Sequence, residues 1–308
     1  MQATKRKKRI KWKDELFYYL ILLFPIAQFA VFYLGVNINS LMLAFQTVDG
    51  EGVRTWSFLT MQNSFREMFS DVTMVKMWGN SLKSYFLINI FSVPLGLTFS
   101  YYIYRKLPMS GFMRVLLFMP SIISAIIMVT IFHYFSNDAI PAIVNGIFGE
   151  GTMSTGLIDN EKTRYGMIIF YNIWVSFGVS VLMYSNAMSG ISPDIVEAAH
   201  LDGATGLREF WSIVLPSIFP TLTTFLIVGV AGIFTNQIQL FAFFAGQADS
   251  DIHTFGYYLF VKANELKKVS LNNAYAELAS KGIILTVIIV PITYLVKYVL
   301  EKFGPRED

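Results

Sequence analysis

The feature that most constrains this chain is a series of apolar runs, each about 20 residues long. A helix of that length crosses about 30 Å of hydrocarbon at about 1.5 Å per residue. With 54% hydrophobic and 15% charged residues, the chain carries more apolar surface than a soluble core of its size buries. We therefore predict an all-α integral membrane protein with six spans, at residues 16–36, 83–104, 113–135, 165–188, 217–245 and 277–297.

Charge indicates how these spans are oriented. A run of basic residues precedes the first span, and such a cluster normally stays in the cytoplasm. A cleaved signal peptide and a nucleic-acid-binding tail are the alternatives, but no small-residue cleavage site follows the run and no folded basic surface accompanies the tail. Six spans then place both termini inside. We predict a cytoplasmic tail over 1–15, a transmembrane domain over 16–298 and a second cytoplasmic tail over 299–308.

Several kinds of chemistry are absent from the sequence. The chain has no cysteine, which excludes disulfides and thiolate sites. Its three histidines, at 133, 200 and 253, lack metal-ligand spacing, and packing or surface roles are the stronger prediction. The closest approach to a phosphate-binding G-x-x-x-x-G-K-[ST] loop, at 79–84, has the wrong spacing. We predict no catalytic residue, no metal and no ATP hydrolysis by this chain.

The segment 189–216, between the fourth and fifth spans, is too long and too structured for a simple connection. Ser192 is a good N-cap, Pro193 suits the first helical position, and Gly203 or Gly206 can end a helix in a left-handed conformation. These signals predict a helix, a turn and a second short helix from about Leu207. The first helix has apolar residues for docking into a partner or packing on the membrane surface: Ile195, Ala198, Ala199 and Leu201.

The spacing within 189–216 resembles the EAA loop of ABC importer permeases. It reads Glu197-Ala198-Ala199, three residues, Gly203, nine residues, Ile213, one residue, and Leu215-Pro216. The flanking Ile191-Ser192-Pro193 and Pro220 resemble the carbohydrate-uptake branch, in particular the first permease of a maltose-type pair. We call 189–216 the EAA segment.

This resemblance implies a six-span type I importer fold in the bacterial cytoplasmic membrane, with a cytoplasmic coupling helix. It also implies a second permease, two ATPase subunits that carry ATP and Mg, an extracytoplasmic solute-binding protein and a sugar or oligosaccharide as cargo. No cofactor on this chain and no nucleic-acid partner are implied. The residues expected to couple to the ATPases are Glu197, Ala198, Ala199, Asp202, Gly203, Leu215 and Pro216.

Polar residues within spans predict a substrate pathway, because polar side chains are costly in hydrocarbon. In the fifth span they recur at i, i+3, i+4 and i+7, on one face of a continuous helix. The fourth span has polar residues one turn apart with a tryptophan near them, and the resemblance adds a serine in the third. Helix packing is the competing interpretation. The candidates are Ser121, Asn172, Trp174, Ser176, Gly232, Thr235, Asn236 and Gln239.

Other transport classes remain as alternatives. A secondary transporter should have carboxylates within its spans and internal repeats, and neither is evident. An intramembrane enzyme should have a nucleophile, a base or a metal cluster on facing spans. An ABC importer of polyamines or metal anions has the same EAA element. The neutral amide and hydroxyl set favours a sugar over a cation.

Overall fold

The computed structural model describes residues 12–48, 53–266 and 272–305, and these residues are almost entirely helical. Within them, one antiparallel hairpin pairs β1 (Gln46–Val48) with β2 (Arg54–Trp56). The α-helices are α1 Trp12–Gln28, α2 Val36–Ala44, α3 Leu59–Ser70, α4 Val72–Tyr104, α5 Ser110–Ile122, α6 Ala125–Tyr134, α7 Ile140–Phe148, α8 Glu161–Ser189, α9 Pro193–Leu201, α10 Leu207–Glu209, α11 Leu215–Ala231, α12 Leu240–Phe244, α13 Phe255–Leu266 and α14 Asn272–Phe303.

Short helical segments of other types join or separate some of these helices. Phe29–Gly35, Phe135–Ala139 and Phe210–Val214 are π-helical, and they join α1 to α2, α6 to α7 and α10 to α11. Ser250–Ile252 forms a single turn of 3₁₀-helix before α13. Each π-helical segment thus connects two α-helices into one longer continuous helical stretch.

Within the described residues, six helical stretches are long and apolar enough to cross a membrane, which confirms the prediction of an all-α membrane protein with six spans. Large apolar side chains on the first stretch, such as Phe24 and Phe32, are exposed in the isolated chain, as expected for residues that face lipid or another membrane subunit. The stretches are Leu16–Ala44, Val72–Tyr104, Ala125–Phe148, Glu161–Ser189, Leu207–Ala231 and Ala274–Phe303.

The chain divides into two compact units. The first comprises residues 1–65 and 270–283. In its described part, the Ser280 hydroxyl donates to the Ala44 carbonyl at 2.9 Å, so the last helix is joined to the end of α2. The second unit comprises residues 66–269 and 284–308 and contains all the sites described below.

Small residues let the helices of the second unit approach closely. The Ser100 hydroxyl of α4 donates to the Val181 carbonyl of α8 at 2.9 Å. A Cβ atom at Gly178 of α8 would overlap the backbone of α5 at Leu117, so only glycine fits this crossing. Close backbone approach at small residues is the usual way in which membrane helices associate. The pair α4 and α8 therefore forms the central wall of this unit.

The second span begins earlier than predicted. Helix α4 starts at Val72 rather than at 83, because the Asp71 side chain caps it by accepting from the Met74 amide at 2.9 Å. Polar residues in its first turns, including Lys76 and Asn80, keep the local hydropathy low. The apolar pattern alone therefore missed three helical turns.

The predicted continuous third span over 113–135 is wrong. The chain is extended at Ile123 and Ser124, which separates α5 from α6. Pro120, inside α5, lacks an amide hydrogen, and Ser124 occupies the N-cap position of α6 without a side-chain capping bond. The helix that is long enough to span is Ala125–Phe148, and Ser110–Ile122 is a shorter apolar helix before it.

The predicted continuous fifth span over 217–245 is also wrong. Helix α11 ends at Ala231, and Ile238 and Gln239 adopt positive φ angles of 45° and 60°. The Asn236 side chain accepts from the Ile238 amide at 2.8 Å, a local bond that competes with helix formation. The Thr254 hydroxyl also donates to the Asn236 carbonyl at 2.9 Å, so contacts from beyond the span hold this turn.

Candidate functional site: the EAA helix and two polar cavities

The first half of the EAA segment folds as its local sequence predicts. Helix α9, which we call the EAA helix, begins after Ser192 with Pro193 at its first position. No side-chain capping bond from Ser192 is present among the described contacts. The helix ends at Leu201, and Gly203 and Gly206 follow with φ angles of +78° and +60°. Glycine adopts such angles at little cost, so both residues are suited to the turn.

The EAA helix exposes most of its predicted coupling residues. Glu197, Ala198, Asp202 and Gly203 are exposed, whereas Ala199 is only 6% exposed. The prediction that Ala199 shares an accessible face with the other apolar residues is therefore wrong, because Ala199 packs inward. The outward apolar residues are Ile195, Leu201, Leu207 and Trp211, of which Leu201 is 90% exposed.

Leu215 and Pro216 occupy a different environment. Both are half-buried at the start of α11, where proline is tolerated in the first turn. Leu215 packs against an apolar cluster that includes Tyr184, Met188 and Val214. In the structure of the chain alone, these two residues anchor the end of the EAA segment rather than exposing a docking face.

A buried carboxylate lies between the two parts of the EAA segment, and the sequence analysis missed it. Glu209 is fully buried and accepts at its Oε2 atom from Arg105 Nη1 at 2.8 Å and from His200 Nε2 at 2.9 Å. Arg105 directly follows α4, more than a hundred positions away in the chain. The available sequence signal was a lone acidic residue before an apolar span.

A large cavity of about 650 Å³ lies beside α8. Its wall is formed by residues of α4, α5, α6, α8 and α11 together with Gln239, and it is lined by apolar, amide and hydroxyl side chains. Among the described lining residues none is charged. The predicted pathway residues in this wall are Ser121, Asn172, Ser176 and Gln239.

Most polar side chains of the large cavity already use their donor groups within the protein. The Ser121 hydroxyl donates to the Phe118 carbonyl at 2.7 Å, and the Ser176 hydroxyl donates to the Asn172 carbonyl at 2.7 Å. The Asn172 amide donates to the Ile168 and Ile238 carbonyls at 2.8 and 2.9 Å. Each of these side chains keeps acceptor lone pairs for another group. The cavity is therefore suited to a neutral ligand with many hydroxyl donors.

A small cavity of about 290 Å³ contains the remaining polar candidates of the fifth span. Gly232, Thr235 and Asn236 line it together with serines of α4. Because α11 ends before these residues, the prediction that they share one helical face with Gln239 is wrong. Asn89 of α4 lines both cavities, so the two cavities are neighbours that share this residue.

Comparison with known proteins places the chain in a family. Residues 90–308 match the family described as binding-protein-dependent transport system inner membrane component. The chain belongs to this family. The prediction from the EAA segment is thereby confirmed at the level of the family.

Two relatives and one solved structure illustrate what this inner-membrane component is similar to. A probable ABC transporter permease protein of Mycoplasma pneumoniae is 32% identical over 60% of this chain and 63% of its own length. A multiple sugar-binding transport system permease protein of Streptococcus mutans is 24% identical over 70% of this chain and 73% of its own length. The match to the Mycoplasma protein thus covers under two thirds of that protein.

The structural similarity extends along nearly the whole chain. A chain of the bacterial alginate ABC transporter, solved in complex with an alginate pentasaccharide-bound periplasmic protein, superposes with a TM-score of 0.77 at 18% identity. The match covers 96% of this chain and 98% of the other. It confirms that the inner-membrane component has an ABC importer permease fold.

Trp174 differs from the other candidates in this inner-membrane component. It lies outside the described linings of both cavities, and its ring packs near Phe132 and Tyr171, at centroid distances of 6.1 and 6.3 Å. Its side chain is nevertheless 37% exposed. The roles of Trp174 and of the other pathway residues remain predictions.

The histidines form no metal centre within the described parts of the chain, where no group of three or more potential ligands occurs. His133 lies 3.3 Å from Asn137, and His253 bonds to the Ala248 carbonyl at 2.9 Å. His200 belongs to the Glu209 cluster. Each of these side chains thus has a structural contact of its own.

Proposed function

We propose that this chain is the transmembrane permease subunit of an ATP-driven importer of sugars or oligosaccharides. The observation that carries the proposal is that one helix, α8, both lines the large cavity and leads directly into the EAA helix. A movement of the EAA helix can therefore be transmitted along the backbone, through α8, to the cavity wall. Membership of the family supports a transport role.

The cavity supports a neutral sugar as the cargo. Its described lining offers amide and hydroxyl acceptors without a charged group, and it includes the rings of Tyr171, Tyr184 and Phe225. Sugars are bound by such hydrogen bonds together with stacking on aromatic rings. The Streptococcus relative is named for multiple sugars and the structural neighbour for the acidic polysaccharide alginate. These names support a sugar, and the uncharged lining supports a neutral one. A polyamine cargo would favour carboxylates in this wall.

The partners follow from the same proposal. We infer a second permease that completes the pathway, with this chain as the first of the pair, and two ATPase subunits that bind ATP and Mg. An extracytoplasmic binding protein delivers the sugar, and both termini lie in the cytoplasm of a bacterial cell. ATP-driven closure of the ATPases pushes the EAA helix, whose exposed Ile195 and Leu201 fit an apolar groove.

Reconstitution tests this function. The tagged chain is purified from native membranes with its partners and placed in liposomes, and ATPase activity is measured with the binding protein and a panel of sugars. We expect stimulation by neutral oligosaccharides and little by uronic-acid oligomers or polyamines. Stimulation by polyamines alone contradicts a sugar importer, and stimulation by uronic-acid oligomers alone contradicts a neutral cargo.

A further inference from the structure

The buried carboxylate of Glu209 lies where three parts of the chain meet. Glu209 belongs to α10, His200 to the last turn of the EAA helix, and Arg105 to the residue after α4. The carboxylate is fully buried, whereas Arg105 and His200 are about one third exposed, at 35% and 37%. A buried charge is therefore shared by two donors from separate elements.

The buried carboxylate of this cluster depends on both of its donors. Both donors bond to the same oxygen, Oε2, while Oε1 is buried and lacks a hydrogen-bond partner among the described atoms. Burial of a carboxylate is unfavourable unless opposite charge and hydrogen bonds compensate it. If either donor moved away, this buried charge would lose a large part of its compensation. The cluster thus favours this mutual position of the three elements over one in which a donor has left the carboxylate.

Neighbouring contacts show which wall the cluster joins to the EAA helix. The Tyr101 hydroxyl, in the last turn of α4, donates to the Gly206 carbonyl at 2.8 Å, and its ring lies 5.1 Å from the Phe210 ring. Helix α4 lines both cavities through Asn89. In the described parts of the chain, the side-chain hydrogen bond that connects the EAA helix to other elements is the one made by His200.

We propose that Glu209 is a positioning residue that fastens the EAA helix to the end of α4. The inference rests on the proposed function for its consequence, because the fastening then transmits a push on the EAA helix to the cavity wall formed by α4. The covalent route through α8 serves one side of the large cavity. The Glu209 cluster adds a second route, through the end of α4, to the part of the cavity wall that α4 forms, so that α4 and α8 move together.

The first test measures coupling in the assembled importer. Glu209→Gln keeps the shape of the side chain and removes its charge, and Arg105→Gln removes the stronger donor. We expect the moles of sugar imported per ATP to fall about tenfold for either variant while ATPase activity persists. The double variant should be no worse than either single variant, because the two substitutions break the same contact.

Two exposed residues provide matched controls for this test. Lys106→Gln removes a charge next to Arg105, and Glu301→Gln removes an exposed acidic side chain in the last turn of α14. Both should leave the transport ratio unchanged. If Glu209→Gln lowers import and ATPase activity in equal proportion, or if the double variant is additively worse, the positioning role is wrong.

The second test needs no partner subunit. Because the chain contains no cysteine, spin labels can be placed at Asp194→Cys on the EAA helix and Thr98→Cys on α4 in the permease alone, in lipid nanodiscs. We expect the distance distribution to broaden about twofold in Glu209→Gln and Arg105→Gln, but not in the controls. Equal widths overturn the fastening. A wild-type complex that imports no sugar overturns the proposed function instead, and leaves the label result standing.

Discussion

The large cavity and the EAA end of this molecule use polar groups in opposite ways. In the cavity, the described polar side chains are uncharged and most of their donors are bonded to nearby carbonyls, as at Ser121 and Ser176. At the EAA end, a full charge on Glu209 is buried while apolar residues such as Leu201 are exposed. The large cavity thus exposes neutral hydrogen-bond acceptors, whereas the EAA end buries an ion cluster.

The difference follows from what each region has to do under the proposed function. A pathway must release its cargo, so binding must be weak enough to allow exit, and neutral hydrogen bonds provide this. A force-bearing segment must keep its shape, and a buried ion cluster has few alternative arrangements of comparable energy.

The largest effect is expected from Gly203→Val. Gly203 has a φ angle of +78°, which a β-branched residue adopts only at a cost of about 1–3 kcal/mol. The turn after the EAA helix should rearrange, and sugar uptake in proteoliposomes should fall about a hundredfold with normal membrane insertion. Gly79→Val is the control, because its added side chain meets open space in α4. Unchanged uptake in Gly203→Val would contradict the role of the EAA helix as a lever.

The fold of the EAA helix could be predicted because its signals are local. Ser192 and Pro193 mark the start of the helix, and Gly203 ends it within the same dozen residues. The family resemblance depends on this same short stretch, and the membrane class depends on apolar runs that any tertiary structure must accommodate. These features needed no knowledge of distant contacts.

The turn after α11 and the Glu209 cluster could not be predicted in this way. Gly232 to Gln239 fit a helical period, but the chain is held in a turn by Thr254, which lies 18 positions beyond its partner Asn236. Gly256 also fits there because a Cβ atom would overlap the backbone at Asn236. Nothing near Glu209 in the sequence identifies Arg105 as its partner. Contacts between positions far apart in the sequence therefore determine the turn after α11 and the partner of Glu209, and hydrophobic periodicity does not report such contacts.

An intermediate effect is expected from Asn172→Leu in the large cavity. The change removes an acceptor for sugar hydroxyls and the bond to the Ile238 carbonyl that holds part of the wall. We expect sugar-stimulated ATPase turnover to fall about tenfold, with smaller losses of assembled complex. Thr130→Leu is the control, since this exposed hydroxyl bonds to its own helix at Ile126. Equal losses of complex and turnover would favour a packing role for Asn172.

A smaller effect is expected from Ser176→Ala. The hydroxyl donates within α8, so its loss leaves no buried donor unsatisfied and removes one cavity acceptor. We expect the half-saturating sugar concentration to rise about threefold with the maximal turnover preserved. A drop in maximal turnover without a change in half-saturation would place Ser176 outside the binding wall. The measurement is a sugar titration of ATPase activity in liposomes.

The smallest effect is expected at an exposed ion pair, which contrasts with Glu209. Lys76 Nζ lies 2.7 Å from the Asp251 carboxylate, and both side chains are more than half exposed. A hydrogen bond from Lys76 and its charge lower the pKa of Asp251, so the folded-state pKa lies below the unfolded one. The resulting stabilisation is present above the ordinary pKa of aspartate and is lost only as the pH falls through the lowered value. Thermal midpoints of the wild type and Asp251→Asn should therefore differ by the same small amount at about pH 7 and about pH 5, and the difference should shrink in about 1 M salt. Two results would contradict this prediction: a midpoint difference that disappears by about pH 5, or a midpoint difference as large as the one that Glu209→Gln causes. The second would show that the exposed Lys76–Asp251 pair is not weaker than the buried Glu209 cluster.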